Sequence, residues 1–153
     1  EFYAAYYTVK GEDFEAETAV KGREKVKIRM QELTSKINAK QSTKKDEDKL
    51  VILQIVNEMM ARGIELLPVD LYKSTAFDYI VEDGKIRLPF SSVNGIGATA
   101  AEPLARARDD GNGEFYSIED FKIRSGAGDS IIESLKQIGT FGSLPDSNQI
   151  SLF

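Results

Sequence analysis

Two glycine pairs constrain the fold of this chain more than any other feature of its sequence. The first lies in the segment 95–97 (Gly-Ile-Gly), and the second lies 31 residues later in the segment 126–128 (Gly-Ala-Gly). Glycine lets the backbone turn tightly and lets another backbone come close. Apolar residues with helical spacing follow each pair. The repeat therefore predicts two tight turns, each leading directly into a helix.

The first turn has the features of a phosphate-binding site. The first N–H groups of a helix have no partners within the helix, and they form the positive end of its dipole. A glycine-opened helix start can therefore bind a phosphate oxygen without a charged side chain. We expect the Ile96 side chain to anchor the turn in the core. The candidate contact residues are Asn94, Gly95, Ile96, Gly97, Ala98 and Thr99, with Arg106 and Arg108 adding positive charge.

The second turn repeats the pattern less well, with Gly126 and Gly128 as candidate contacts. Ala127 is a weak anchor, and the Asp129 carboxylate would repel a phosphate. Two such turns resemble tandem helix-hairpin-helix motifs, which can hold phosphates on both strands of a duplex. The alternative for each pair is a helix cap and a tight turn without a ligand.

The remaining sequence predicts a mainly α fold with a small β hairpin. Helices are expected over 19–37 and about 47–62, separated by a polar loop at 38–47. Asp83-Gly84 between two alternating runs predicts the hairpin, because its turn needs positive φ. After it, we expect helices to begin at Thr99, at Ser117 and at Ser130, the last two through capping boxes. These helices end near Arg108, Arg124 and Ile138.

These elements predict three regions. Residues 1–62 form a helical segment, residues 63–142 form a tandem helix-hairpin-helix domain for duplex binding, and residues 143–153 form a flexible tail. Because the sequence starts at Glu1 rather than Met, we expect that it is preceded by further chain.

Composition excludes several classes of function. The chain has no cysteine and no histidine, which argues against disulfides, thiol or histidine catalysis, and zinc chemistry. No apolar run is long enough for a membrane helix and no signal peptide is present, so a cytoplasmic location is expected. The net charge of −5 argues against binding nucleic acid by bulk charge. The segment from Lys21 to Lys45, however, contains nine Lys and Arg residues and only two Glu residues, so its local charge is strongly positive.

The last five residues predict a partner-binding peptide. Three of them are apolar, although a chain terminus usually frays into water. Leu152 and Phe153 would be the buried anchors in a partner pocket, and the Gln149 amide would supply a directional hydrogen bond. The alternative is that the peptide packs against its own fold.

Several segments together resemble the C-terminal region of the bacterial DNA polymerase III alpha subunit of PolC type. The final Gln149, Ile150, Ser151, Leu152 and Phe153 are similar to the sliding-clamp-binding peptide of bacterial replication proteins. The other segments are residues 1–9 (EFYAAYYTV), 69–74 (VDLYKS), 89–90 with 95–97, 105–108 (ARAR), and 132–135 before Gly139.

The resemblance implies a non-catalytic part of a replicative polymerase, with duplex DNA and the sliding clamp as partners. It implies no catalytic residue, no metal and no cofactor in this chain, although the whole enzyme would use Mg²⁺ held by palm aspartates. The Asp46-Glu47-Asp48 run lies in a Lys-rich segment and is expected to be a solvated helix start. Two alternatives remain: a separate helix-hairpin-helix repair enzyme, and a clamp adaptor that binds no DNA.

Overall fold

The computed structural model describes residues 1–109 and 113–147. In these two ranges the chain forms seven α-helices and a three-stranded sheet, which confirms the mainly α prediction. The helices are α1 (Phe2–Val9), α2 (Ala16–Ala19), α3 (Arg23–Asn38), α4 (Lys44–Ala61), α5 (Ala98–Arg106), α6 (Ile118–Ser125) and α7 (Asp129–Gln137). Short 3₁₀ turns cover Gly11–Asp13, Phe90–Ser92 and Ala107–Asp109.

The two longest helices, α3 and α4, pack against each other. The buried residues of these helices are Val26 and Leu33 on α3 and, on α4, the apolar Ile52, Leu53, Val56 and Met59. This is the stripe of apolar side chains that helical spacing predicts. No described helix combines the length and the apolar composition needed to cross a bilayer.

Helix α4 begins before the predicted position, because a capping box fixes its first turn. The Asp46 N–H donates to the Thr43 hydroxyl at 3.2 Å, and the Thr43 N–H donates to the Asp46 carboxylate at 3.0 Å. These reciprocal bonds satisfy two N–H groups that a helix start leaves without partners. The polar loop predicted at 38–47 is therefore confined to the residues between Asn38 and Lys44.

The sheet contains the predicted hairpin and one further strand. Strands β2 (Ile80–Glu82) and β3 (Lys85–Arg87) are antiparallel, and Asp83 and Gly84 between them have φ of 51° and 80°. Both residues of the turn thus have positive φ, as predicted. Strand β1 (Leu66–Leu67) pairs in parallel with β3, so that Leu66 lies opposite Ile86.

Aromatic packing joins α1 to the chain next to the sheet. Tyr7 is fully buried, and its ring centroid lies 5.1 Å from that of Phe14 and 5.5 Å from that of Tyr79. The Tyr79 N–H donates to the Thr8 hydroxyl at 2.9 Å. The first helix is therefore fixed against the residues that lead into β2.

A second group of aromatic side chains packs between the helices that follow the sheet. Phe121 of α6 makes edge-on contacts with Phe115 and Phe141, at centroid distances of 5.0 and 5.5 Å. Leu104 of α5 and Leu135 of α7 are buried in the same core cluster. This packing fixes the helices that begin at the two glycine turns.

Both of those helices begin earlier than the sequence predicts. Gly97 is the N-cap residue of α5, and Gly128 is the N-cap residue of α7. The predicted caps, Thr99 and Ser130, lie inside the first turns, so these two predictions were wrong. Glycine is an acceptable N-cap because the extended backbone at this position does not need a side chain.

This shift places Pro103 in the interior of α5. Proline has no N–H, so it removes the bond that this position would donate to the Thr99 carbonyl. The helix ends at Arg106 rather than near Arg108, and a 3₁₀ turn follows it. At α6, by contrast, Ser117 is the N-cap as predicted, and its hydroxyl accepts the Asp120 N–H at 2.9 Å.

Candidate nucleic-acid interface

The first glycine turn contains one glycine with a left-handed backbone and, two residues later, one with an extended backbone. Gly95 has a φ of 88°, a conformation that is strained for residues with a side chain. Gly97 has a φ of −83° and a ψ of 177°, which any residue can adopt. Between them, Ile96 is only 4% exposed and belongs to the core cluster, as predicted for an anchor.

The second glycine turn repeats this geometry. Gly126 ends α6 with a φ of 71°, and Gly128 precedes α7 with a φ of −79° and a ψ of 170°. Ala127 is half-buried and packs against the core cluster. The two turns therefore share a backbone shape, although the anchor of the second is smaller.

Each turn presents N–H groups that have no acceptor in the described ranges. At α5 the Gly97 carbonyl accepts the Ala100 and Ala101 N–H groups, which leaves those of Gly97, Ala98 and Thr99 available. At α7 the Ile132 N–H donates to the Gly128 carbonyl at 3.2 Å, which leaves the N–H groups of residues 128–131 available. Such groups bind anions at helix starts.

The space beside these glycines is open. A Cβ atom built on Gly95, Gly97, Gly126 or Gly128 would have no described heavy atom within 4 Å, apart from its chain neighbours. A bulky group can therefore approach the backbone of either turn. Close approach is required for a phosphate that binds through N–H groups alone.

A lysine offsets the acidic residue of the second turn. The Lys122 ammonium forms an ion pair with the Asp129 carboxylate. The hydrogen bond that Lys122 donates lowers the pKa of Asp129, because the cation favours the ionised carboxylate. The cation beside it reduces the repulsion of a phosphate that the Asp129 charge alone would cause.

The two candidate arginines have different environments. Arg106 is exposed and makes a long ion pair with Glu102, 3.8 Å between Nε and Oε1. Arg108 donates from Nη1 to the carbonyls of Leu71, at 3.1 Å, and Ser74, at 2.7 Å. Arg108 therefore connects two parts of the backbone through Nη1, and its predicted contribution of positive charge at the turn stays a prediction.

Asp46 and Asp48 both form ion pairs within the fold. The Asp46 carboxylate accepts the Thr43 N–H and pairs with Lys36 at 3.0 Å, while Asp48 pairs with Lys44 at 2.8 Å. The bond from the Thr43 N–H, together with Lys36, lowers the pKa of Asp46 to about 2. Over residues 1–109 and 113–147, no group of three or more acidic side chains could hold a metal ion.

A groove of about 730 Å³ runs beside the first glycine turn. Its lining includes residues 91–98 from the turn and, from α4, Lys45 and Lys49. Sequence reasoning placed Lys45 at the end of the basic stretch and missed Lys49. The available signal was their four-residue spacing, which places two side chains on one face of a helix.

The predicted partner-binding peptide, Gln149 to Phe153, lies outside the described residues. The segment just before it is attached to α6. The Ile118 N–H donates to the Pro145 carbonyl at 2.8 Å, and the Glu119 N–H donates to the Asp146 carbonyl at 3.0 Å. The Asp146 carboxylate also pairs with Lys136 at 3.4 Å.

Two glycine turns of one geometry, each opening a helix with available N–H groups, define a helix-hairpin-helix protein. The family model described as a helix-hairpin-helix motif matches residues 63–150. The chain therefore belongs to the helix-hairpin-helix family.

Its curated relatives include proteins named DNA polymerase III PolC-type. The protein of Caldanaerobacter subterraneus subsp. tengcongensis is 40% identical over 152 residues, which cover 99% of this chain and 11% of the relative. That of Oceanobacillus iheyensis is 41% identical over 99% of this chain and 10% of its own length. That of Thermotoga petrophila is 38% identical over 100% of this chain and 11% of its own length. The chain thus spans about a tenth of the relatives it matches.

Proposed function

We propose that this chain is a non-catalytic part of a replicative DNA polymerase and binds duplex DNA independently of sequence. The observation that carries the proposal is the pair of open, glycine-opened helix starts with available N–H groups. Membership in the helix-hairpin-helix family and the similarity to PolC-type polymerases support it. The whole enzyme would act in the cytoplasm, with its Mg²⁺ site in other residues.

The proposed mechanism is non-covalent. The N–H groups of residues 97–99 at the first turn, and of residues 128–131 at the second, donate to phosphate oxygens. Phosphate contacts position a duplex and read no sequence. Because the chain carries a net charge of −5, long-range attraction adds little, and the contacts release readily as the enzyme moves.

We further propose that residues 149–153 tether the enzyme to the sliding clamp. Their similarity to the clamp-binding peptide supports this assignment, with Leu152 and Phe153 as anchors. The hydrogen bonds of Pro145 and Asp146 to α6 hold the chain just before the peptide. The six residues after Ser147 span at most about 20 Å when extended. Such a short tether keeps the effective concentration of a bound clamp high near α6.

Amide shifts in a titration with duplex DNA test the DNA-binding proposal. Two duplexes of unrelated sequence and equal length should shift the amides of residues 97–99 and 128–131 with similar affinities. Shifts that avoid both helix starts, or an affinity that depends strongly on sequence, would contradict the proposal. The same chain should show no strand incision, since incision would favour a repair enzyme.

A further inference from the structure

The groove beside the first glycine turn brings α4 into the DNA-binding surface. Lys45 and Lys49 line it together with the turn residues 94–98. Lys45 is exposed and Lys49 is half-exposed, so both ammonium groups can meet a ligand without unfolding. The two lysines are separated from the turn by more than forty residues of sequence, and only the fold brings them together.

Lys45 and Lys49 have no carboxylate partner among the described residues. Four cations of the basic stretch are paired: Lys27 with Glu24, Arg29 with Glu15 and Glu32, Lys36 with Asp46, and Lys44 with Asp48. The other five of its nine cations, Lys45 among them, have no carboxylate partner among the described residues. The charges of Lys45 and Lys49 remain available at the groove.

We propose that Lys45 and Lys49 bind phosphates of the same duplex that contacts the first glycine turn. This inference rests on the proposed function, and it extends the binding surface from the helix-hairpin-helix region into α4. Residues four apart on a helix are separated by a rise of about 6 Å. Phosphates follow one another along one DNA strand with an axial rise of about 3.4 Å per step. Two ammonium groups on one face of α4 can therefore contact different phosphates of a strand that runs along the groove.

Acidic side chains limit where that backbone can lie. Glu12, Glu15 and Glu17 also line the groove. Arg29 neutralises Glu15, because its Nε lies 3.1 and 3.0 Å from the two carboxylate oxygens. Glu12 and Glu17 have no ion-pair partner in the described part of the chain, so they repel phosphate. The strand therefore lies toward Lys45 and Lys49.

Salt-dependent duplex titrations of the 153-residue chain test the inference. Each phosphate contact contributes about 0.9 to the slope of log K against log salt. The double variant K45Q/K49Q should therefore lower the slope by roughly 2, and its affinity at 0.1 M salt should fall by up to about 60-fold. The matched control is K21Q/K25Q, which removes two exposed, unpaired lysines that do not line the groove. It should change the slope much less.

A second variant tests the charge of the groove in the opposite direction. E12Q/E17Q removes two charges that repel phosphate, so it should tighten duplex binding.

Equal slopes for K45Q/K49Q and K21Q/K25Q would overturn the inference, as would an unchanged affinity in E12Q/E17Q. If a substitution at Gly97 weakens binding while K45Q/K49Q does not, the lysine inference fails and the proposed function stands. If neither variant changes duplex binding, the proposed function fails as well.

Discussion

Substitution of Gly97 by valine should separate DNA binding from folding. Gly97 has an extended backbone that valine adopts without strain, and a Cβ there meets no described atom within 4 Å other than its chain neighbours. The loss of the glycine N-cap costs some stability, but the reduced freedom of the unfolded chain offsets part of this loss. We therefore expect the free energy of unfolding to change by less than about 1 kcal/mol.

The effect on binding should be much larger, because the new side chain occupies the space that a phosphate needs. A phosphate that accepts two of the three available N–H groups gains about 1–1.5 kcal/mol from each bond. Their loss corresponds to about 2–3 kcal/mol, which raises the Kd roughly 30- to 150-fold. Fluorescence anisotropy with two unrelated duplexes at one salt concentration measures this change. Both duplexes should lose affinity equally.

Two controls make this prediction sharp. Ala39→Val adds the same side chain at an exposed position at the end of α3, and it should leave the Kd unchanged. Gly128→Val makes the equivalent change at the second turn, so it measures how much that turn contributes. A Gly97→Val protein with a normal urea midpoint and a Kd within about threefold of the original would refute phosphate binding at this turn.

Three further predictions concern stability, pH and the clamp. Arg87 is 8% exposed, and it donates to Glu82 and to the Pro68 carbonyl, so Arg87→Met should lower the free energy of unfolding by about 2–3 kcal/mol in urea titrations. Because the pKa of Asp46 falls from 3.8 to about 2 on folding, its contribution to stability is present above pH 4 and lost toward pH 2. Asp46→Asn should flatten the stability curve over that interval. L152A/F153A should abolish binding to the clamp in surface plasmon resonance and leave the duplex Kd unchanged; equal loss of both would contradict separate roles.

Local sequence signals predicted most of the secondary structure. The Asp83-Gly84 turn, the Ser117 cap and the buried Ile96 each depend on residues within a few positions of one another. For such features the chemistry of the side chain or the freedom of glycine decides the conformation. The predicted N-caps of α5 and α7 lie two residues after the observed ones, Gly97 and Gly128. The reason is that Thr99 and Ser130 are residue types with a stronger general N-cap preference.

Features that depend on distant residues were not predictable in this way. The sequence of β1 indicates only a short extended segment. Its pairing with β3, about 20 residues later, makes it part of a sheet. Arg108 resembles a surface cation in sequence, yet the carbonyls that it binds lie 37 and 34 residues earlier. A single sequence does not show which distant carbonyl groups the fold brings within reach of an arginine.

An acidic chain can bind DNA through local contacts, as the proposed function requires. Net charge governs attraction over distances comparable to the Debye length, about 10 Å at 0.1 M salt, whereas N–H groups at a helix start act on contact. Four of the nine cations of the basic stretch are paired within the fold, whereas Lys45 and Lys49 have no described carboxylate partner and line the groove beside the first glycine turn. Under the proposed function, a surface of this kind would hold a duplex locally and release it readily, so long residence at DNA would depend on the proposed clamp-binding peptide at residues 149–153.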